Sequence, residues 1–278
     1  MMKSLRRLVR EALTEDIGQE DITTNRTVPD NARCEVRLVA KENGVLSGIE
    51  VFRMVFECQR ASIAGWGAIP DGQRFSRGDE IATFKGNTRA VLTGERTAMN
   101  FIQHLAGVAT LTAKYVEAVK GLPVKICDTR KTTPLIRRLE KQAVADGGGV
   151  NHRHNLFNGV VIKENHIVAA GGIANAVKRA WEGTHHLMKI EVEVTSLDEF
   201  DQALEAGADA IMLDNMSLDE MRDAVNRANG KKVVIEASGN MNLGHIRKVA
   251  ETGVNVISVG ALTHSAPVVD LSLLIKNV

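Results

Sequence analysis

The chain has 278 residues, 44% of them hydrophobic and 24 of them glycine, and its 35 Lys and Arg nearly balance 34 Asp and Glu. That length suits one large or two modest domains, and the apolar content with a net charge of +1 excludes disorder, which needs low hydrophobicity and high charge. A nearly neutral chain also lacks the basic footprint of a nucleic-acid or anionic-membrane binder.

The N-terminal stretch MMKSLRRLVREALTED is basic but has no apolar core, so no secretory signal is expected. Leu5, Leu8, Val9, Ala12 and Leu13 recur at helical spacing and predict an amphipathic helix over about 4–15. From Cys34 to Gly86 the pattern changes: CEVRLVA alternates as a half-buried strand does, and VLSG, SIAGW and EIATFKG follow between Gly and Asp-Gly turns. Arg89 to Lys120 reads as helix with a break near Gly107. Within it, the uncharged stretch from Thr97 to Ala113 carries Asn100, Gln103 and His104 and predicts a buried helix pair rather than a membrane span. Cys34, Cys58 and Cys127 form no CxxC pair and read as reduced thiols, so a soluble cytoplasmic protein is expected.

After Gly121-Leu122-Pro123 six short apolar runs follow, at 124–127, 160–162, 190–194, 210–213, 233–237 and 256–259. Helical stretches such as 198–206, 217–228 and 242–252 separate the later ones. Strand and helix alternating at that period predict parallel strands with right-handed crossovers. Too few residues remain for eight units. The first expectation is therefore an open, six-stranded barrel-like sheet; the second is a doubly wound sheet, weakened by the lack of a GxGxxG.

The runs end in polar groups: Asp128-Thr129-Arg130-Lys131-Thr132-Thr133, Lys163, Glu193, Asp214, Glu236-Ala237-Ser238-Gly239 and Gly260. Loops after the carboxyl ends of parallel strands build sites, so these residues describe a polar pocket. The period of two puts Glu191 and Glu193 on one face of their strand and Ile190, Val192 and Val194 on the other. Inward carboxylates need cations, and Arg130, Lys131, Arg153 and Lys163 are at hand; an internal ion-pair network is the blander alternative. Between Lys125 and His166 eight Lys and Arg outnumber four acids, although Arg137, Arg138 and Lys141 read as the wet face of a helix. The implied ligand is small and multiply anionic. Ser238-Gly239-Asn240 and Gly260-Ala261 before helices, and more weakly Gly147-Gly148-Gly149, suggest phosphate contact. Apart from the His152/His154 pair, the histidines lack zinc spacing.

TRKTTP (129–134), LEKQAV (139–144), GGGVNHR (147–153), VIKENH (161–166), IEVEV (190–194), IMLDN (211–215), EASGN (236–240) and VISVGALTHS (256–265) resemble the quinolinate phosphoribosyltransferase family, as do EDIGQEDITT (15–24) and GERTAMNFIQHLAGVAT (94–110). The resemblance implies an N-terminal α/β sandwich domain over 1–115, completed by about 267–278, and an open six-stranded (β/α) barrel domain over 116–266. It implies transfer of phosphoribose from 5-phosphoribosyl-1-pyrophosphate to quinolinate with loss of CO₂, giving nicotinate mononucleotide for NAD synthesis. By the same likeness Arg130, Arg153 and Lys163, with His152 close by, hold the quinolinate carboxylates beside Thr129. Arg96 enters the site of a neighbouring subunit, which implies a homodimer, with a hexamer as the larger alternative. Lys131 and Lys163 lie near the pyrophosphate. Glu193 and Asp214 face ribose hydroxyls and Mg²⁺, and Ser238, Gly239, Asn240, Gly260 and Ala261 hold the 5-phosphate; no organic cofactor is implied.

Leu135, Asn155, Asn158, Glu164 and Asn240 depart from the family's commonest pattern, and the Asn240 loop is expected to survive because Asn tolerates left-handed backbone. Related molybdenum-locus proteins share much of the scaffold, and the likeness implies that they carry a hydrophobic residue where this chain keeps Lys163. Two further alternatives stand: a Schiff-base aldolase or decarboxylase using Lys163, and a carrier whose DGQRFSRGDEIATFKG (71–86) acts as a lipoyl-type hairpin.

Overall fold

The structure, a computed structural model, describes residues 2–278. Two compact units emerge: one holds the chain to Ala113, Pro134–Gly148 and Ala266–Val278, the other Lys114–Thr133 and Gly149–Ser265.

The chain begins with α1 (Met2–Ile17), whose apolar stripe buries Val9 and Leu13. Helix α2 (Ile22–Thr27) starts where the Asp21 carboxylate accepts the Thr24 N–H at 2.9 Å. Strand β1 (Arg33–Ala40) alternates exposed or half-buried with buried positions, as its polar-apolar sequence demands. After β2 (Gly44–Val45) come α3 (Ile49–Cys58), β3 (Ala64–Ala68), β4 (Arg74–Phe75) and β5 (Glu80–Asn87). Phe52 and Phe56 of α3 and Phe84 of β5 stack at centroid distances of 5.1 Å in the core of this unit. Lys85 lies within β5, paired to both neighbouring strands, so the lipoyl-type turn is absent there.

Helix α4 (Thr88–Ala118) runs unbroken through Gly107, against the expected break. A Cβ at Gly107 would stand 2.2 Å from the Pro267 carbonyl oxygen, so glycine is there for close approach.

The second unit opens with β6 (Lys125–Cys127). The next helix, α5 (Arg137–Asp146), belongs to the first unit instead. Its Glu140, fully buried, accepts from His104 Nε2 at 2.7 Å, and a Cβ on Gly147 would collide with the Ala109 carbonyl. Residues 134–148 are therefore withdrawn from the 116–266 segment that the sequence division assigned to the barrel. Lys141 is buried too, which corrects its reading as wet face.

Then follow β7 (Val160–Ile162), α6 (Glu164–Ala170), α7 (Ile173–Gly183), β8 (Ile190–Val194), α8 (Leu197–Glu205), β9 (Ala210–Asp214) and α9 (Leu218–Arg227). The unit ends with β10 (Val234–Ser238), α10 (Ile246–Ala250), β11 (Val256–Ser258) and α11 (Ala261–His264). Ser196 caps α8, and Ser217 with Glu220 forms a capping box on α9. All six strands are parallel in the order β6-β11-β10-β9-β8-β7. A doubly wound sheet would reverse its order midway; here β7 to β11 follow in succession and β6 joins beyond β11, the order of a barrel opened between β6 and β7. Ile190, Val192 and Val194 are fully buried.

The chain then returns to the first unit as β12 (Leu271–Asn277), antiparallel to β1 from Cys34↔Asn277 to Ala40↔Leu271. The sheet order there is β12-β1-β5-β3, with β2 and β4 paired separately. Gly107→Ala is expected to lose about 1–3 kcal/mol in urea unfolding, despite alanine's better helix propensity, because backbone must move to admit the methyl. Unchanged stability would contradict the close approach.

Candidate active site

Strand register decides which side chains face one another. Glu191 and Glu193 sit two apart on β8 and share a face, and Asp214 at the end of β9 pairs with Ser238 at the end of β10. Strands β8 and β10 have β9 between them, and flat-sheet spacing holds such strands about 9.6 Å apart. Yet Glu191, Glu236 and His152 bring ligand atoms within 4.8 Å of one another. The face that carries them is concave, and its residues converge.

The Asp128–Thr133 loop leaves β6, and Val150 rejoins that strand by a parallel bridge to Cys127. Asp128, wholly buried, accepts the His152 N–H at 2.8 Å and so anchors the next segment. The His152 ring lies between two partners. Its Nε2 is 3.0 Å from Glu191, and its Nδ1 accepts the Arg153 N–H at 2.8 Å. Arg153 donates to the Gly159 carbonyl at 2.8 Å. Burial, with the Arg130 guanidinium nearby, draws Arg153 below the usual guanidinium range, while Glu191 opposes the shift. Arg130 and Arg153 thus come from different loops, and the Arg130 charge lies near enough to act on Arg153.

Lys163, at the end of β7, pairs its ammonium with Glu193 on the next strand. An amine nucleophile needs a neutral nitrogen, so this carboxylate partner speaks against the Schiff-base alternative. Lys131 reaches a third strand end: its Cδ would touch a Cβ on Gly260 at 3.1 Å, and its carbonyl accepts the Thr263 hydroxyl at 2.7 Å. The Thr129 hydroxyl accepts the Lys131 N–H at 3.0 Å.

The loops expected to hold phosphate differ from one another. Gly260 does cap a helix, but α11 is a single turn, with Ala261 as its first residue. Ser238-Gly239-Asn240 does not, because α10 begins only at Ile246. Helix capping therefore fails as the reason for that loop; its geometry comes from left-handed backbone at Gly239 and Asn240 instead. Of Gly147-Gly148-Gly149, the first caps the end of α5 and serves packing.

Asn215 was not among the residues singled out. With φ of 55° it donates to Asp214 at 3.0 Å and accepts from Asn240 at 3.1 Å, joining the β9 end to the loop after β10. A Cβ on Gly239 would strike its amide at 2.2 Å. An Asn directly after a strand-terminal Asp was the available signal. Of the departures, Leu135 holds a left-handed φ of 69° and is exposed, a conformation glycine adopts without strain. Arg96 is an exposed residue of α4 in the first unit.

Models for the N-terminal and C-terminal domains of quinolinate phosphoribosyl transferase match residues 21–106 and 108–274. The chain belongs to the quinolinate phosphoribosyltransferase family. A probable nicotinate-nucleotide pyrophosphorylase [carboxylating] of Bacillus subtilis is 39% identical, covering 97% of this chain and 92% of that protein. A nicotinate-nucleotide pyrophosphorylase [carboxylating] of Mycobacterium leprae is 38% identical, with 95% of each chain covered. The crystal structure of NadC from Streptococcus pyogenes has a TM-score of 0.95 at 39% identity, covering 100% of this chain and 98% of that one. Among the described residues no helix is long and apolar enough to cross a membrane.

Burial, and then the Glu191 carboxylate beside it, pushes Glu236 up to about 7, against the pull of His152. Unfolded, the same carboxyl titrates near 4.5. Its stabilising contribution is thus complete below about 4.5 and lost as pH rises through 7. Glu236→Gln should flatten the fall in urea-unfolding free energy between pH 5 and 7.5 by on the order of 2 kcal/mol. Parallel curves for the two proteins would contradict the assignment.

Proposed function

We propose that this chain transfers the phosphoribosyl group of 5-phosphoribosyl-1-pyrophosphate to the ring nitrogen of quinolinate. Pyrophosphate and CO₂ leave, and nicotinate mononucleotide, a precursor of NAD, remains. The observation that carries the reading is the polar constellation on the concave face: His152 bonded to Glu191 and to the Arg153 amide, and Lys163 paired with Glu193. The relatives named above point the same way.

In this mechanism Arg130, Arg153 and Lys163 grip the two carboxylates, with Thr129 and His152 completing the wall of the site. Guanidinium forks suit planar carboxylates, and the fixed pose brings the ring nitrogen toward the sugar. Ser238, Gly239, Asn240, Gly260 and Ala261 cradle the 5-phosphate. As the C1–oxygen bond to pyrophosphate breaks and the C1–nitrogen bond forms, the sugar becomes cationic, and Glu193 and Asp214 lie on that side. Lys131 and Lys163 take up the charge of the departing pyrophosphate. The ring nitrogen is then cationic, which stabilises the electron pair left on the adjacent carbon as CO₂ departs; a proton replaces the carboxylate.

Glu193 and Asp214 also suit Mg²⁺ by donor type, since hard dications take oxygen ligands. Asp214 ends its strand half-buried with an oxygen bonded to Asn215, while Glu193 is drawn to Lys163. Bound there, Mg²⁺ would supply charge neutralisation for the leaving group. Arg96 is proposed to complete the site of a second copy, which makes the working form at least a homodimer.

Incubated with both substrates and Mg²⁺, the protein should release pyrophosphate and CO₂ in equal amounts; release of neither rejects the reading. Calorimetric titration should show quinolinate binding weakened about 10²–10³-fold in Arg130→Ala, Arg153→Ala and Lys163→Ala, the usual loss when one partner of a buried charge pair is truncated. Unchanged affinity in all three breaks the site assignment. Mixing inactive Arg96→Ala with inactive Arg130→Ala protein and allowing subunit exchange should restore about one quarter of wild-type activity, since half the dimers then carry one intact site. No recovery would place Arg96 in its own subunit's site, and an active Arg96→Ala protein would place it outside any.

A further inference from the structure

His152, Glu191 and Glu236 form the tightest cluster of potential ligand groups among the described residues, with their ligand atoms within 4.8 Å of one another. Glu236 Oε2 lies 3.8 Å from His152 Nε2, and its Oε1 is buried without a hydrogen-bond partner. Two uses of such a cluster are chemically sensible: a metal site, or a clamp on the imidazole.

The Arg153 amide decides between them. A backbone N–H pointing at Nδ1 from 2.8 Å requires a lone pair on that nitrogen. The proton of a neutral imidazole then sits on Nε2, where it is donated to Glu191 at 3.0 Å. A metal on Nε2 would force the proton onto Nδ1, against the Arg153 N–H. The bonds to Glu191 and from the Arg153 amide thus hold the ring as one tautomer, and turning it over would break both.

The consequence reaches the next residue. The amide that holds the ring is the amide of Arg153, so the ring's orientation is coupled to the backbone that carries the guanidinium. On the other side, Asp128 holds the His152 N–H at 2.8 Å. We propose that Glu191 is a positioning residue: by fixing the His152 ring it sets the direction from which Arg153 meets the dicarboxylate. This rests on the reading that Arg153 grips quinolinate, and it adds a second role for the inward face of β8, one pair of residues deeper than Glu193.

The test is steady-state kinetics of the full protein with each substrate varied in turn. Glu191→Leu, which keeps volume but removes the acceptor, should raise the KM for quinolinate about tenfold or more and leave that for 5-phosphoribosyl-1-pyrophosphate within about twofold. Glu191→Gln, whose amide oxygen can still accept from Nε2, should recover most of the loss. His152→Ala should raise the quinolinate KM as Glu191→Leu does, and the double variant should be no worse than His152→Ala alone, because the two act in series. Additive losses, or an equal rise in both KM values, would overturn the proposal. If Glu191→Leu fails to fold, Glu191→Gln against His152→Ala decides: a Gln variant as impaired as His152→Ala contradicts the acceptor role. Arg153→Ala serves as the reference. Should it leave the quinolinate KM unchanged, the underlying site reading fails, and this inference with it.

Discussion

The structure turns on keeping like charges together. The Arg130 charge lies close enough to act on Arg153, and Lys131 and Lys163 stand at the strand ends of the same sheet. Guanidinium and ammonium groups do not gather without compensation, because burial and mutual repulsion both oppose the charged forms. The compensation is built from one strand: Glu191 and Glu193 project inward from β8 at two depths. The upper carboxylate takes Lys163, and the lower one takes His152 and opposes the shift on Arg153. An anionic ligand that completes the balance is favoured over water, which is why such a face selects a small polyanion.

Much of this was legible in advance because it is local. Apolar runs bounded by turns marked all six parallel strands, two of them, 160–162 and 190–194, with the same limits as the structure. The two-residue period put Glu191 and Glu193 on one face, and the charged residues that end those runs pointed to the strand-end loops. Asn240 takes the left-handed backbone that its side chain was expected to tolerate.

What was not legible is non-local. Nothing near Gly107 reveals Pro267, so a glycine needed for contact read as a helix break. Nothing near Lys141 reveals that α5 belongs to the first unit and not to that of the strands flanking it in sequence, so a buried face read as a wet one. The stretch 242–252 read as one helix, but only Ile246–Ala250 is helical, leaving Ser238-Gly239-Asn240 with no helix to cap. The commitment of both His152 nitrogens depends on groups one and 39 positions away, and only the folded register brings the farther one into place.

The pairing of β12 with β1 bears on how the molecule is made. Asp270 and Glu42, bonded at 2.7 Å, stand 228 positions apart, and the whole six-stranded sheet is encoded between them. A nascent chain emerging from the ribosome must therefore carry β1 with one side of its backbone unpartnered until everything in between has been translated. Loops of that length close slowly, and an open strand edge invites association with other chains in the interval. The first unit begins first and is finished last.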